Sequence, residues 1–296
     1  MKRLPLYTEL GTDRQPLAEL LPLAGPLSVF ISTTSACNYS CAWCPVSGPT
    51  YQQDYGKGRM STADFGTILG KLNSSGALKV VRLYDLGEPL MDPTLHEKIQ
   101  LVVRAGLRSE VTTNGFLLTQ RWAERLVASG LQYLRVSLYD RDREQILENV
   151  RNLWKIRTML GAVTPLIHVQ TFGEADERFQ PFSDSMGTTP LHNWSGLTDA
   201  SLNALPAKKE VCPSPFYSLT VTWRGDVLPC CVAPAGFTMG NLLTDSLDDV
   251  WNGERFERLR LAHLARQRTG ACASCNYDQL MPDNLDSYQP AMVGTT

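Results

Sequence analysis

Residues 35–45 read SACNYSCAWCP and follow directly on the apolar run LSVFIST at 27–33. Three of the chain's 8 cysteines therefore share one loop, spaced Cys37-x3-Cys41-x2-Cys44. A structural zinc takes four closed ligands, and no fourth cysteine or histidine lies nearby; the next histidine, His96, falls on a helical stretch. Three thiolates on one loop suit three irons of a [4Fe–4S] cube whose fourth iron stays open to an outside ligand. A partial zinc site or three core thiols are the competing readings, and the surroundings of the loop bear on them.

With 296 residues, 43% of them apolar, the chain has material for one large domain or a large and a small one. A net charge of -2 gives no footprint for nucleic acid or a membrane surface. The N-terminus has two basic residues with no apolar core behind them, so it does not read as a signal peptide. The apolar region 17–31 is broken by Glu19, Pro22 and Pro26 and is too short to span a bilayer. A cytoplasmic, reducing location is expected, and there cysteines serve metal or redox chemistry better than disulfides.

Short apolar or β-branched runs at 27–33, 78–85, 108–114, 131–140, 163–171 and, weakly, 189–194 alternate with helical patterns. The helical stretches are 61–72, 93–105, 119–129 and 143–159, the first capped by Ser61 or Thr62. This alternation predicts an α/β fold with a parallel sheet, curled or closed, and chemistry at the C-terminal ends of the strands. The cysteine loop follows the first strand and belongs there. From about Ala207 the pattern changes to two short strands around an RGD turn at 224–226, then one amphipathic helix over 245–265 capped by Ser246. Expected boundaries are an N-terminal extension at 1–26, the barrel at 27–206, a cysteine-bearing module at 207–280 and a tail at 281–296. That module is too short to build a full core, so a metal cluster is expected to stabilise it.

The cysteine loop, with Trp43 before its last thiol, resembles the signature of radical S-adenosylmethionine (SAM) enzymes. The resemblance implies a partial (β/α)6 TIM-like barrel and SAM chelating the open iron of a [4Fe–4S] cluster. One electron then cleaves the SAM to methionine and a 5′-deoxyadenosyl radical. GEP at Gly87, Glu88 and Pro89 resembles the motif that receives the SAM amino group, although one glycine stands where many members have two. TTNG at 112–115 and VSLYD at 136–140 point to Asn114 and Ser137 in the nucleoside pocket, with Arg143 as a partner for the SAM carboxylate.

Cys212, Cys230, Cys231, Cys272 and Cys275 remain, and spacing alone leaves zinc and iron–sulfur open. Placed after such a barrel, they resemble the SPASM/twitch extension, in the single-cluster form of 2-deoxy-scyllo-inosamine dehydrogenase-type enzymes. That implies an auxiliary [4Fe–4S] cluster on Cys212, Cys230, Cys272 and Cys275. Neighbours on a strand face opposite ways, so one of Cys230 and Cys231 is spare, and which one stays open. A spare Cys231 is either a small buried residue or a hydrogen-atom donor to a substrate radical.

Tyr84, Asp85, Tyr139, Asp140, His168 and Gln170 are expected at the barrel mouth, with Asp85 and His168 able to take an alcohol proton. The leading expectation is oxidation of a secondary alcohol on a sugar or aminocyclitol, with the auxiliary cluster as electron acceptor. Epimerisation through Cys231 comes second and modification of a short peptide third; only about 27 residues precede the first strand, few for a peptide-recognition domain. A non-catalytic iron–sulfur electron carrier is the reading from another class. The expected partners are a small-molecule substrate and a flavodoxin or ferredoxin-type reductant, not nucleic acid or membrane.

Overall fold

The computed structural model describes residues 16–48, 51–198, 209–281 and 285–288. Residues 1–15 of the expected N-terminal extension, the 206/207 boundary and most of the 281–296 tail lie outside the described residues.

Six strands run parallel: β1 (Ser28–Ile31), β2 (Val80–Arg82), β3 (Arg108–Thr113), β4 (Tyr133–Leu138), β5 (Leu166–Thr171) and β6 (Ser185–Thr188). Between them lie α1 (Thr62–Asn73), α2 (Leu95–Arg104), α3 (Gln120–Ala128) and α4 (Arg143–Met159). This is the partial (β/α)6 barrel. The β1 residues are buried on both faces, as a strand covered on both sides requires. α1 buries Phe65, Ile68, Leu69 and Leu72, one helical stripe, and starts where Ser61 Oγ accepts the Asp64 N–H at 3.0 Å.

Two expectations need correction. The weak run at 189–194 is not a strand; the sixth strand forms at Ser185–Thr188, paired with β5 from His168↔Ser185 to Thr171↔Thr188. Pro190 has no N–H to give a ladder, whereas Gly187 lets the edge lie close to the sheet. A Cβ on Gly187 would stand 3.3 Å from the His168 ring. The stretch 245–265 is also not one helix.

The C-terminal module adds β7 (Ser218–Val221), β8 (Asp226–Leu228) and β9 (Gly240–Asn241), then α5 (Leu247–Trp251) and α6 (Glu254–Leu264). Ser246 caps α5 alone, and α6 starts afresh at Gly253, where a Cβ would meet the Asp249 carbonyl oxygen at 2.1 Å. β7 pairs parallel with β1, from Ser28↔Ser218 to Ile31↔Val221. Among the described residues one sheet therefore runs β6-β5-β4-β3-β2-β1-β7-β8-β9.

That pairing changes the account of the module's stability. Leu219, Val221, Val227, Leu242, Val250, Trp251 and Phe256 belong to the same apolar core as the barrel strands. The module borrows a core; it does not need to build one. Trp251 anchors it, with Nε1 donating to the Leu23 carbonyl at 3.0 Å and the Arg260 guanidinium 4.2 Å from its ring. Among the described residues no helix is long and apolar enough to cross a membrane.

A shared core predicts one unfolding transition for barrel and module, lowered in Trp251→Ala by about 3–5 kcal/mol. Calorimetry or denaturant titration checks this; two separate transitions would contradict it.

Candidate active site

The cysteine loop leaves β1 and is tied down at several points. The Gly58 N–H donates to Ser35 Oγ at 2.9 Å, the Glu88 N–H to the Ala36 carbonyl at 2.8 Å, and the Tyr39 N–H to Cys37 Sγ at 3.4 Å. Tyr39 Oη donates to Asp142 Oδ2 at 2.8 Å, and Arg141 lies 4.0 Å from the Tyr39 ring. These contacts clamp the loop to the segment between β4 and α4.

Glu88 joins two of the motifs singled out above. Oε1 of this buried side chain accepts from the Leu90 N–H at 3.0 Å and Thr113 Oγ1 at 2.6 Å, while Oε2 accepts from the Asn114 N–H at 2.8 Å. GEP is thereby fastened to TTNG. Gly87, at φ +104°, lets the chain pass the cysteine loop; a Cβ there would strike the Thr34 carbonyl oxygen at 2.5 Å.

A cavity of about 210 Å³ opens between these segments. Cys37, Cys41 and Cys44 line it together with Gly87, Glu88, Asn114 and Ser137. Asp85, Tyr84, Tyr139, Gln170 and Cys231 complete the wall from β2, β4, β5 and the module. Burial pushes Cys37 up to about 11 and Cys44 up to about 12, and the neighbouring thiols push the same way. Such thiols ionise at neutral pH when a cationic centre shares the space.

Asp85 Oδ1 is buried without a protein partner, and desolvation pushes the carboxyl up to about 8. A carboxyl so placed exchanges protons near neutral pH.

The adjacent cysteines divide between two spaces. Cys231 lines the main cavity, and burial, with Asp85 next, pushes its thiol up to about 12. Cys230 lines a second, smaller pocket with Cys212, Cys272 and Cys275, and burial followed by the other thiols raises it well above the ordinary thiol range. The dipeptide lies in the bend beyond β8 and not in a strand, and its two thiols line different spaces.

Other expected residues lie elsewhere. His168 is not in the cavity wall: Nδ1 is 2.8 Å from Ser185 Oγ and Nε2 is 3.3 Å from Gln170 Oε1, one layer beneath the strand end. Burial, helped by Arg135, holds its imidazole down to about 4. Arg143 also stands apart, donating to the Tyr139 carbonyl at 3.2 Å with Asp176 3.9 Å away. Asp140 points to solvent, 98% exposed. Trp43 packs behind the wall on Tyr139, ring centroids 5.4 Å apart, and Pro89 starts the turn after Glu88.

The cavity also recruits Arg135, Thr189, His192, Trp194 and Tyr277, none of them anticipated. His192 and Trp194 belong to the stretch misread as a strand. Asn193 pins them to the cysteine pair: its N–H donates to Asn276 Oδ1 at 3.0 Å and its Nδ2 to the Ser274 carbonyl at 2.6 Å. The one available signal was polar and aromatic residues beside each motif, in TPLHNW and CNYD.

Residues 31–174 match the radical SAM superfamily, and residues 212–276 match SPASM, an iron–sulfur cluster-binding domain. A PqqA peptide cyclase of Xanthomonas euvesicatoria pv. vesicatoria is 24% identical over 294 residues, spanning 79% of this chain and 77% of that protein. A probable GTP 3′,8-cyclase of Pyrobaculum aerophilum is 32% identical over 112 residues, which are 37% of this chain and 33% of the cyclase. Among solved structures, BtrN in complex with AdoMet and 2-DOIA has a TM-score of 0.62 at 21% identity, covering 84% of this chain and 92% of BtrN. Streptococcus suis SuiB bound to its precursor peptide SuiA reaches 0.61 at 14% identity, covering 89% of this chain and 72% of SuiB. These likenesses establish a shared fold.

The radical SAM domain implies SAM and a [4Fe–4S] cluster, and the SPASM domain implies auxiliary iron–sulfur. The residues fit such groups. The three loop thiols line the main cavity and four others the smaller pocket, donor sets that suit an iron–sulfur cluster with one open iron and a closed one.

Cys230→Ala is expected to remove about four iron atoms per chain, and Cys231→Ala none. Iron analysis of anaerobic protein checks this; equal losses would contradict the division of the two thiols.

Proposed function

The chain joins a radical SAM domain to a SPASM iron–sulfur domain, and on that premise we propose that it oxidises a secondary alcohol of a small polyol, a sugar or aminocyclitol, to a carbonyl. One observation carries this reading: the Cys230–Cys231 dipeptide has one thiol in each space. A substrate in the main cavity lies one residue away from the four-thiol pocket.

Cys37, Cys41 and Cys44 would hold the SAM-binding cluster, and Cys212, Cys230, Cys272 and Cys275 the auxiliary one. When bound, these groups supply a radical that removes one hydrogen atom from the substrate carbon and an acceptor for a second electron. Gly87, Glu88, Asn114 and Ser137 line the cavity and would face the cofactor. Asp85 takes the hydroxyl proton on Oδ1, the buried atom with no protein partner. The alcohol then loses a hydrogen atom, a proton and an electron, which together leave the carbonyl. A flavodoxin or ferredoxin-type protein is the proposed source of the priming electron.

Epimerisation is the second reading, favoured by Cys231 in the main cavity beside Asp85. In that case the Cys231 S–H returns a hydrogen atom to the opposite face of the carbon. The names of the PqqA cyclase and of SuiB with its peptide support peptide modification as a third reading.

Turnover of a cyclitol and sugar panel in deuterated water separates the readings. Oxidation yields a carbonyl compound and leaves Cys231→Ala at full rate. Solvent deuterium on the product carbon, lost in Cys231→Ala, would overturn it in favour of epimerisation. Asp85→Asn is expected to slow product formation about a hundredfold while 5′-deoxyadenosine still accumulates. Unchanged product formation would remove Asp85 as the base.

A further inference from the structure

Gln170 sits on β5, 4% exposed, and lines the main cavity. Its Oε1 faces His168 Nε2 at 3.3 Å, and its amide nitrogen is buried without a protein partner. A buried donor left unmet costs free energy until a ligand supplies an acceptor.

We propose that Gln170 orients the substrate by donating from its amide nitrogen to an acceptor oxygen, and that the Ser185–His168 pair fixes which end of the amide faces the cavity. This rests on the reading of the cavity as a site for an oxygenated small molecule.

The orientation follows from a chain of single hydrogen bonds. A neutral imidazole offers one donor and one acceptor. His168 is kept neutral by burial and by Arg135, its partner in the β4–β5 register. Gln170 Oε1 can only accept, so the ring proton sits on Nε2, and Nδ1 then accepts from the Ser185 hydroxyl 2.8 Å away. That proton points at Gln170 Oε1 and leaves the NH2 end for the cavity. Gly187 gives the pair room, since a Cβ would lie 3.3 Å from His168 Cε1 and 3.8 Å from Gln170 Nε2. His168, beneath the wall, is thus a positioning residue and not the base.

The consequence concerns substrate class. Asp85 Oδ1 on the β2 side is, once ionised, an unmet acceptor, and Gln170 Nε2 on the β5 side is an unmet donor. A ligand satisfying both brings a donor to one wall and an acceptor to the other. A hydroxyl, ether or carbonyl oxygen fits against Gln170; a protonated amine does not, because donor would meet donor.

The test is calorimetric binding of two probes, 2-deoxy-scyllo-inosamine and scyllo-inositol, to iron-replete, unreduced protein with SAM. Gln170→Leu and Gln170→Glu are each expected to weaken binding about tenfold or more, with iron content unchanged. His168→Phe, which keeps the ring but loses the donor, weakens it in the same direction; His168→Gln, which can still donate to Gln170, restores most of it. Under turnover the Gln170 variants raise KM and yield less product per 5′-deoxyadenosine. Wild-type affinity in Gln170→Leu, or tighter binding in Gln170→Glu, overturns the assignment while the reading of the site stands. No binding of either probe to the wild-type protein overturns both.

Discussion

The parallel ladder between β1 and β7 is the constraint on which the arrangement depends. It runs from Ser28↔Ser218 to Ile31↔Val221 and fuses a C-terminal hairpin to the barrel sheet. β1 carries the cysteine loop from its end, and β8 carries Cys230 and Cys231 just beyond its own. This ladder therefore fixes the cysteine loop relative to the Cys230–Cys231 dipeptide. A slip of one residue in such a ladder reverses which face each side chain meets.

The wall of the main cavity holds both met and unmet buried polar groups. Glu88 is fully employed, binding Leu90, Thr113 and Asn114 and so coupling two loops into one wall. Asp85 Oδ1 and Gln170 Nε2 are the opposite case, buried with nothing to bond. The thiols behave alike: burial disfavours their charge unless a cationic centre joins them.

Much of this was legible in the sequence. Spacing, strand alternation and helix caps gave the barrel, because apolar period and capping chemistry act locally. The mouth residues Asp85, Tyr84, Tyr139 and Gln170 followed from strand ends. The misses have physical causes. His168 fell one layer short because a strand run does not mark where the sheet's interior begins. Gly253 breaks a helix that its apolar pattern continues. His192, Trp194 and Tyr277 reach the cavity through Asn193–Asn276 contacts between distant segments, which no local pattern encodes. That β7 would join β1 was likewise a tertiary fact.

The central claim is that one cysteine set leaves an iron open and the other closes its site. Electron paramagnetic resonance of the dithionite-reduced protein, with and without SAM, measures this directly. The account predicts two cluster signals, one shifted by SAM and the other indifferent to it. If SAM left both signals unmoved, or if the three-cysteine loop bound no cluster, the account would be contradicted.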